Sequence, residues 1–124
     1  MTENKEDKDN NKDCIFCKII KGEKEATKTY EDENFIGILD INPRAEGHTL
    51  IIPKKHFRNL LDLPTTLGNE LLDAIKKVSL KLIEEGKAEG VNVLTANEPA
   101  AQQDVLHTHV HIIPRKKDDG LKIG

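Results

Sequence analysis

The sequence has few of the residues on which several classes of protein depend. It contains no tryptophan, one tyrosine, three phenylalanines and two cysteines in 124 residues. Because it has no run of about 20 apolar residues, it predicts no membrane span, and we expect a soluble protein. Its net charge of −3 supplies no excess of positive potential for following a polyanionic backbone. Polymeric nucleic acid is therefore not an expected partner, whereas a small anionic ligand is compatible with this charge.

The first 13 residues differ in composition from the rest of the chain. They carry five acidic residues and three lysines, and Met1 is the only apolar residue among them. Such a segment cannot compensate its ordering entropy by burial. We therefore predict a disordered charged tail over residues 1–13 and one domain over residues 14–124. The tail lacks the apolar stretch of a signal peptide, so we expect the protein in the cytoplasm.

Hydrophobic patterning from residue 14 onward predicts an α+β fold. Five β-prone runs predict five strands, the first two joined as a hairpin: 27–30, 35–39, 48–52, 91–96 and 105–113. Pro53 and Pro114 are expected to end the third and fifth strands. Apolar residues at three- and four-residue steps predict one amphipathic helix between about residues 65 and 86: Leu67, Leu71, Ile75, Val78 and Leu82. With a short helix over 15–21, we expect a mostly antiparallel sheet with its helices on one face.

Three histidines, His107, His109 and His111, alternate in the last β-prone run. Because the side chains of a strand repeat every two residues, the three imidazoles are predicted to share one face. Neutral imidazole is a nucleophile at physiological pH and can leave again after accepting a phosphoryl group, while neighbouring rings can donate to phosphate oxygens. The pattern favours phosphoryl or nucleotidyl transfer. A metal-chelating strand and a solvated face without chemistry are the alternatives.

Cys14 and Cys17 form a single C-x-x-C pair. The residue types alone are compatible with zinc, with a redox dithiol and with two small buried thiols. Two histidines would complete a tetrahedral Cys₂His₂ zinc site. Spacing does not choose among the candidates His48, His56 and His107.

Four blocks of the chain resemble, in order, the blocks of the histidine triad (HIT) family, in its zinc-binding branch with a C-x-x-C pair. They are CIFCKII (14–20), DINP (40–43), GHTLIIPKKH (47–56) and QDVLHTHVHIIPR (103–115). The resemblance implies a five-stranded antiparallel sheet with two helices, paired into a two-fold homodimer. It also implies hydrolysis or transfer at the α-phosphate of nucleoside phosphoramidates, nucleotide conjugates or dinucleoside polyphosphates, through a nucleotidyl-histidine intermediate.

The resemblance further implies roles for individual residues. His109 would be the nucleophile, flanked by His107 and His111, with His111 donating to the phosphate. Nucleoside and phosphate contacts would come from five positions: Ile15, Phe16, Asp40, Asn97 and Gln103.

The same resemblance implies which histidines join the cysteines. Cysteine-containing relatives use the positions that correspond to His56 and His107, so a structural zinc ion would be held by Cys14, Cys17, His56 and His107. His48 is then expected as a partly buried histidine with a hydrogen-bond partner.

The chain departs from the family pattern at two loop positions. Asp104 stands where many members have Ser or Thr, and Gln102 stands where Gly is common. An inward carboxylate would repel a phosphate oxygen, and glutamine restricts a backbone that needs a positive φ. These departures keep open the alternative of a catalytically weak nucleotide-binding module. A zinc-structured interaction module without nucleotide affinity is a further alternative.

Overall fold

The computed structural model describes residues 12–123, so the predicted tail lies outside the described residues except for Lys12 and Asp13. The strands are β1 (Lys28–Glu31), β2 (Phe35–Leu39), β3 (Thr49–Pro53), β4 (Gly90–Leu94) and β5 (Val110–Arg115), and the helices are α1 (Ile15–Ile20) and α2 (Gly68–Glu84). The strands form one sheet in the order β1-β2-β3-β5-β4, and every pairing is antiparallel. The predicted α+β class with five strands and two helices is confirmed.

Helix α2 covers one face of the sheet. Its apolar stripe buries Ala74, Val78 and Leu82, as its three- and four-residue periodicity predicts. They pack in one core cluster with strand residues: Phe35, Ile51, Val110 and Ile112. A 3-10 turn over Thr65–Leu67 precedes the α-helix. Within residues 12–123 no helix combines the length and apolar character needed to cross a membrane. The cytoplasmic location stays a prediction.

Helix α1 covers the opposite face. Phe16 and the two cysteines pack in a second core cluster with the residues that alternate with the first set along β2 and β3: Ile36, Ile38, Leu50 and Ile52. The expectation that both helices lie on one face was therefore wrong. The physical reason lies in β2 and β3, which are apolar at consecutive positions, so both faces of the sheet must be covered.

Strand β5 begins later than the sequence predicts. It starts at Val110 and runs through Pro114 to Arg115, whereas residues 105–109 lie in the connecting segment. In that segment the Thr108 backbone N–H donates to the Phe57 carbonyl oxygen at 2.7 Å. Only His111 of the three alternating histidines therefore belongs to a strand. The expected end at Pro114 was wrong as well, because Pro114 pairs in register with Val91 of β4.

Candidate active site and metal cluster

The three alternating histidines lie on the α1 side of the sheet. The ring centroid of Phe16 is 5.7 Å from that of His107 and 5.1 Å from that of His109, and the His109 and His111 centroids are 5.3 Å apart. Exposure rises along the row, from 0% for His107 to 4% for His109 and 22% for the His111 side chain. A bound substrate can therefore meet His109 and His111, whereas His107 is enclosed.

One backbone contact sets the tautomer of His109. Its Nδ1 lies 2.7 Å from the backbone carbonyl oxygen of His107. Because a carbonyl oxygen only accepts, Nδ1 carries the proton and donates it. In the neutral ring Nε2 then keeps its electron pair, as a nucleophile requires. Nε2 lies 3.3 Å from Oδ1 of Asp104, a residue whose side chain is 79% exposed.

A chain of hydrogen bonds sets the tautomer of His111. The Arg44 backbone N–H donates to His48 Nδ1 at 3.1 Å, so the neutral His48 ring carries its proton on Nε2. That atom lies 3.0 Å from His111 Nδ1, which accepts. Burial lowers the pKa of His111 to about 4. At neutral pH, His111 is therefore a neutral ring whose Nε2–H is available as a donor.

Asp40 closes this end of the site. Its Oδ2 lies 3.5 Å from His48 Nε2 and 3.9 Å from His111 Nδ1. The three side chains converge as the ligands of a metal would. However, Nε2 of neutral His48 carries a proton and has no electron pair to give. The hydrogen bond from Arg44 therefore favours a hydrogen-bonded group over a metal site here.

A second cluster has the donor set of a structural metal site. Cys14, Cys17, His56 and His107 are all buried, and one potential ligand atom of each lies within 4.8 Å of the others. His107 Nδ1 is 3.3 Å from Cys14 Sγ and 3.1 Å from His56 Nδ1, and Cys17 Sγ is 3.3 Å from His56 Nδ1. A tetrahedral zinc ion places S and N ligands about 3.5 Å apart and two N ligands about 3.3 Å apart. These spacings fit.

The protonation chemistry of the cluster also fits a cation. His107 Nε2 lies 2.9 Å from the Pro53 carbonyl oxygen and donates to it, so its Nδ1 presents an electron pair to the cluster. Burial raises the pKa of the Cys14 thiol to about 11. A thiolate in this position needs a compensating positive charge, which a divalent ion supplies.

A cavity of about 180 Å³ adjoins His109 and His111. Ile15, Phe16 and Asp40, three of the predicted nucleotide contacts, line it together with Asp104. The other two predicted contacts, Asn97 and Gln103, are not among its lining residues. The structure therefore brings the predicted nucleoside contacts to the rings of His109 and His111, and the two loop amides form hydrogen bonds elsewhere.

Gln103 holds the loop that precedes the histidines. Its Oε1 accepts from the Glu98 N–H at 2.7 Å and from Asn59 Nδ2 at 3.1 Å. Its Nε2 donates to the carbonyl oxygens of Arg58 at 2.6 Å and Val105 at 2.9 Å. The Asn97 amide oxygen similarly accepts from the Leu60 N–H at 2.8 Å. Because most of these partners lie some 40 residues away, the sequence carried no signal for them.

The same loop adopts backbone conformations that favour glycine. Gln102 has φ 70° and ψ 31°, and Glu98 has φ 80°. The Glu98 carboxylate accepts from Arg58 Nε at 2.9 Å and Nη2 at 3.0 Å, which holds the loop against this strain. The glutamine in place of glycine thus leaves the left-handed turn in place.

Comparison with known proteins places these features in one family. The family model described as HIT domain matches residues 21–118. An adenosine 5'-monophosphoramidase, HNT1, from Candida albicans is 45% identical over 116 residues, which cover 90% of this chain and 76% of the relative. An adenylylsulfatase, HINT3, from Arabidopsis thaliana is 42% identical over 109 residues, which cover 88% of this chain and 55% of the relative.

Solved structures share the fold. A zinc-bound histidine triad family protein from Mycobacterium smegmatis superimposes with a TM-score of 0.85 at 39% identity, covering 90% of this chain and 81% of that chain. A HIT family hydrolase from Clostridium thermocellum does so with a TM-score of 0.77 at 41% identity, covering 91% and 98%.

Proposed function

Since this chain belongs to the histidine triad (HIT) family of nucleotide hydrolases, we propose that it cleaves nucleotide conjugates at the α-phosphate with His109 as the nucleophile. The proposed substrates are nucleoside phosphoramidates, other mononucleotide conjugates and dinucleoside polyphosphates. One observation carries the proposal. The hydrogen bond from His109 Nδ1 to the His107 carbonyl oxygen leaves the electron pair on Nε2, beside the cavity.

The reaction consists of two displacements at phosphorus. First, the Nε2 electron pair forms a bond to the α-phosphorus while the bond to the leaving group breaks, and that bond's electrons depart with the leaving group. A leaving nitrogen takes one proton from solvent and departs as an amine. Water then attacks phosphorus, the bond to Nε2 breaks with its electrons returning to His109, and the surplus proton of water goes to solvent. Throughout, His111 donates from Nε2 to a non-bridging phosphate oxygen.

The nucleoside is proposed to occupy the cavity lined by Ile15, Phe16 and Asp40. The Phe16 ring offers a packing surface for a base, and the Asp40 carboxylate offers an acceptor for a ribose hydroxyl. The role of Asn97 and Gln103 as phosphate contacts stays a prediction. The hydrogen bonds that engage both side chains favour a role in holding the loop.

We propose a structural zinc ion on Cys14, Cys17, His56 and His107. Four protein ligands leave no open coordination position, which distinguishes a structural zinc site from a catalytic one. The ion would supply the positive charge that keeps two thiolates buried. The four ligands would join α1 to the segments that follow β3 and precede β5. The zinc-bound relative from Mycobacterium smegmatis supports this choice of metal.

The test of the activity is release of AMP from adenosine 5'-phosphoramidate. We expect His109→Ala to lower kcat by at least about 1,000-fold, since it removes the nucleophile. The variant's metal content and unfolding midpoint should match those of the wild type, which separates a chemical defect from misfolding. Mass spectrometry of acid-quenched wild type should detect a nucleotidyl adduct. Unchanged turnover in His109→Ala would rule out the proposed nucleophile.

One observation favours the alternative of a catalytically weak nucleotide-binding or zinc-structured interaction module. The Asp104 carboxylate lies 3.3 Å from Nε2 of His109, where it competes with an approaching phosphate for space and repels its charge. Tight AMP binding in calorimetry without turnover of any conjugate would support the nucleotide-binding module. Absence of AMP and GMP binding, together with bound metal, would support the interaction module.

We also propose that the protein forms a two-fold homodimer. Within the described residues β4 pairs with β5 alone, so its other edge keeps backbone groups unpaired. Exposed apolar side chains lie on β4 and α2: Val93, Leu72, Leu80 and Ile83. Sedimentation equilibrium should give a dimer for wild type and for Leu61→Lys, whose leucine is exposed in a 3-10 turn, and a monomer for Val93→Lys. A monomeric wild type in the high micromolar range would contradict the proposal.

A further inference from the structure

Asp104 stands where two cavities adjoin. It lines the cavity of about 180 Å³ beside His109 and His111, and it also lines a groove of about 350 Å³. Ile15 and Val105 line both spaces as well. A nucleotide conjugate carries two groups on its α-phosphorus, the nucleoside and the leaving group. With the nucleoside in the first cavity and the phosphorus at His109 Nε2, the groove would receive the leaving group, because it meets the first cavity at Asp104 beside Nε2.

The groove has a distinct chemical character. Its charged side chains include the carboxylates of Asp13 and Asp104, and its walls include the apolar Ile15, Val105 and the half-exposed Leu106. Its one titratable base, His56, belongs to the Cys₂His₂ cluster. A divalent ion held there by two thiolates adds no net positive charge. The groove therefore presents negative and apolar surface to whatever follows the scissile bond.

We infer that Asp104 is a specificity-determining residue that selects against negative charge on the leaving group. This inference rests on the proposed function. Its carboxylate lies 3.3 Å from the attacking atom and lines the groove. In an in-line displacement the leaving group lies opposite Nε2 on the phosphorus, so a charge on it stands about 6–8 Å from the carboxylate and interacts with it through space. The preferred substrates are nucleoside phosphoramidates of neutral or cationic amines. Conjugates whose leaving group is anionic, such as a sulfate or a second nucleotide's phosphates, are disfavoured.

The expected size of the effect follows from Coulomb's law. Two unit charges separated by about 6–8 Å at a solvent-exposed site change a rate constant by about 2- to 10-fold. A cationic and an anionic leaving group differ by two unit charges. The corresponding ratio of kcat/KM values should therefore be at least about 5-fold, and it should shrink when salt screens the carboxylate.

The test uses three AMP conjugates that share one scissile P–N bond. The amines are 1,4-diaminobutane, butylamine and 4-aminobutyrate, whose far ends are cationic, neutral and anionic. For the wild type we expect kcat/KM to fall in that order, and we expect the spread to narrow in high salt. The isosteric Asp104→Asn should narrow the spread of the three values by at least about 2-fold, and the carboxylate of Asp13 would account for the part that stays. Asp104→Glu, which restores the charge, should restore the order.

The outcomes separate this inference from the proposed function. Turnover of all three conjugates without discrimination by the wild type would overturn the inference alone, and so would a spread of kcat/KM values in Asp104→Asn as wide as that of the wild type. Turnover of no conjugate, together with no turnover of adenosine 5'-phosphoramidate, would overturn the proposed function and the inference with it. Unfolding midpoints of both variants check that the exposed side chain was replaced without loss of fold.

Discussion

His109 Nδ1 donates to the backbone carbonyl oxygen of His107 at 2.7 Å, while the side chain of His107 belongs to the Cys₂His₂ cluster. One residue thus contributes its ring to the proposed metal site and its backbone to the orientation of the proposed nucleophile. The carbonyl oxygen can hold the His109 ring only as firmly as His107 itself is held. The cluster and the active site are therefore mechanically coupled over two residues of chain.

This coupling predicts that loss of the metal weakens both stability and catalysis. His56→Gln removes one of the four ligands, so the purified protein should lose its zinc and unfold at a lower temperature. Turnover of adenosine 5'-phosphoramidate should fall as well, because the His107 carbonyl is no longer fixed. Zinc content by elemental analysis, calorimetric unfolding and kcat/KM are the three measurements.

The matched control is His48→Gln. His48 is buried to a similar degree, with 2% exposure against 8% for His56, but it lies outside the cluster. This variant should keep its zinc and lose activity only through the altered orientation of His111. Full zinc retention in His56→Gln would contradict the proposed ligand set, and zinc loss in His48→Gln would reassign the fourth ligand.

Stability is expected to fall in mild acid because of His111. Burial lowers its folded pKa from 6.5 to about 4, whereas the unfolded ring keeps the ordinary value. Between these two pH values the unfolded state binds more protons than the folded state. The free energy of unfolding is therefore highest above pH 6.5, where His111 is neutral in both states, and it falls as pH falls towards 4. Between pH 7 and pH 5, wild type should lose about 1–2 kcal/mol more free energy of unfolding than His111→Gln. Urea denaturation at both pH values measures this difference. Equal losses of unfolding free energy in wild type and His111→Gln would show that burial does not lower the pKa of the His111 ring.

Periodic patterns made much of the fold predictable. The apolar steps from Leu67 to Leu82 located α2 because they repeat with the period of a helix, and five β-prone runs located the five strands. The placement of α1 failed, since a short helix has no period that tells which face of a sheet it covers. The predicted start of β5 was wrong for another reason. The hydrogen bonds of Thr108 to Phe57 are made with a residue 51 positions away, and they take the segment out of the sheet.

The candidate site was predictable to a similar extent. The blocks that resemble the HIT family indicated His109, His111 and the four residues of the Cys₂His₂ cluster, whereas spacing alone did not choose among the candidate histidines for the metal. The relay from the Arg44 backbone through His48 was not predictable, since a backbone N–H leaves no trace in the sequence. The loop held by Arg58 and Glu98 joins residues 40 positions apart, and neither residue belongs to a motif.

The strained loop predicts a stabilising substitution. Gln102 has φ 70°, which costs a residue with a Cβ about 1 kcal/mol and costs glycine almost nothing. Gln102→Gly should therefore raise the free energy of unfolding by about 0.5–1 kcal/mol. Ala101→Gly, one position earlier in the 3-10 turn, should instead lower it by about 0.5–1 kcal/mol. Chemical denaturation compares the two variants with the wild type. Destabilisation by both variants would show that the positive φ of Gln102 does not cost stability.

Gln103 distinguishes a phosphate contact from a residue that holds the loop. Its buried side chain makes four hydrogen bonds, so Gln103→Leu would leave the Glu98 N–H and two carbonyl oxygens without partners. We expect the free energy of unfolding to fall by about 2–3 kcal/mol. The control is Gln102→Ala, which truncates the exposed neighbouring glutamine and should change the free energy of unfolding by less than about 0.5 kcal/mol. If Gln103→Leu instead raised KM for the phosphoramidate at unchanged stability, the phosphate contact predicted from the sequence would be its principal role.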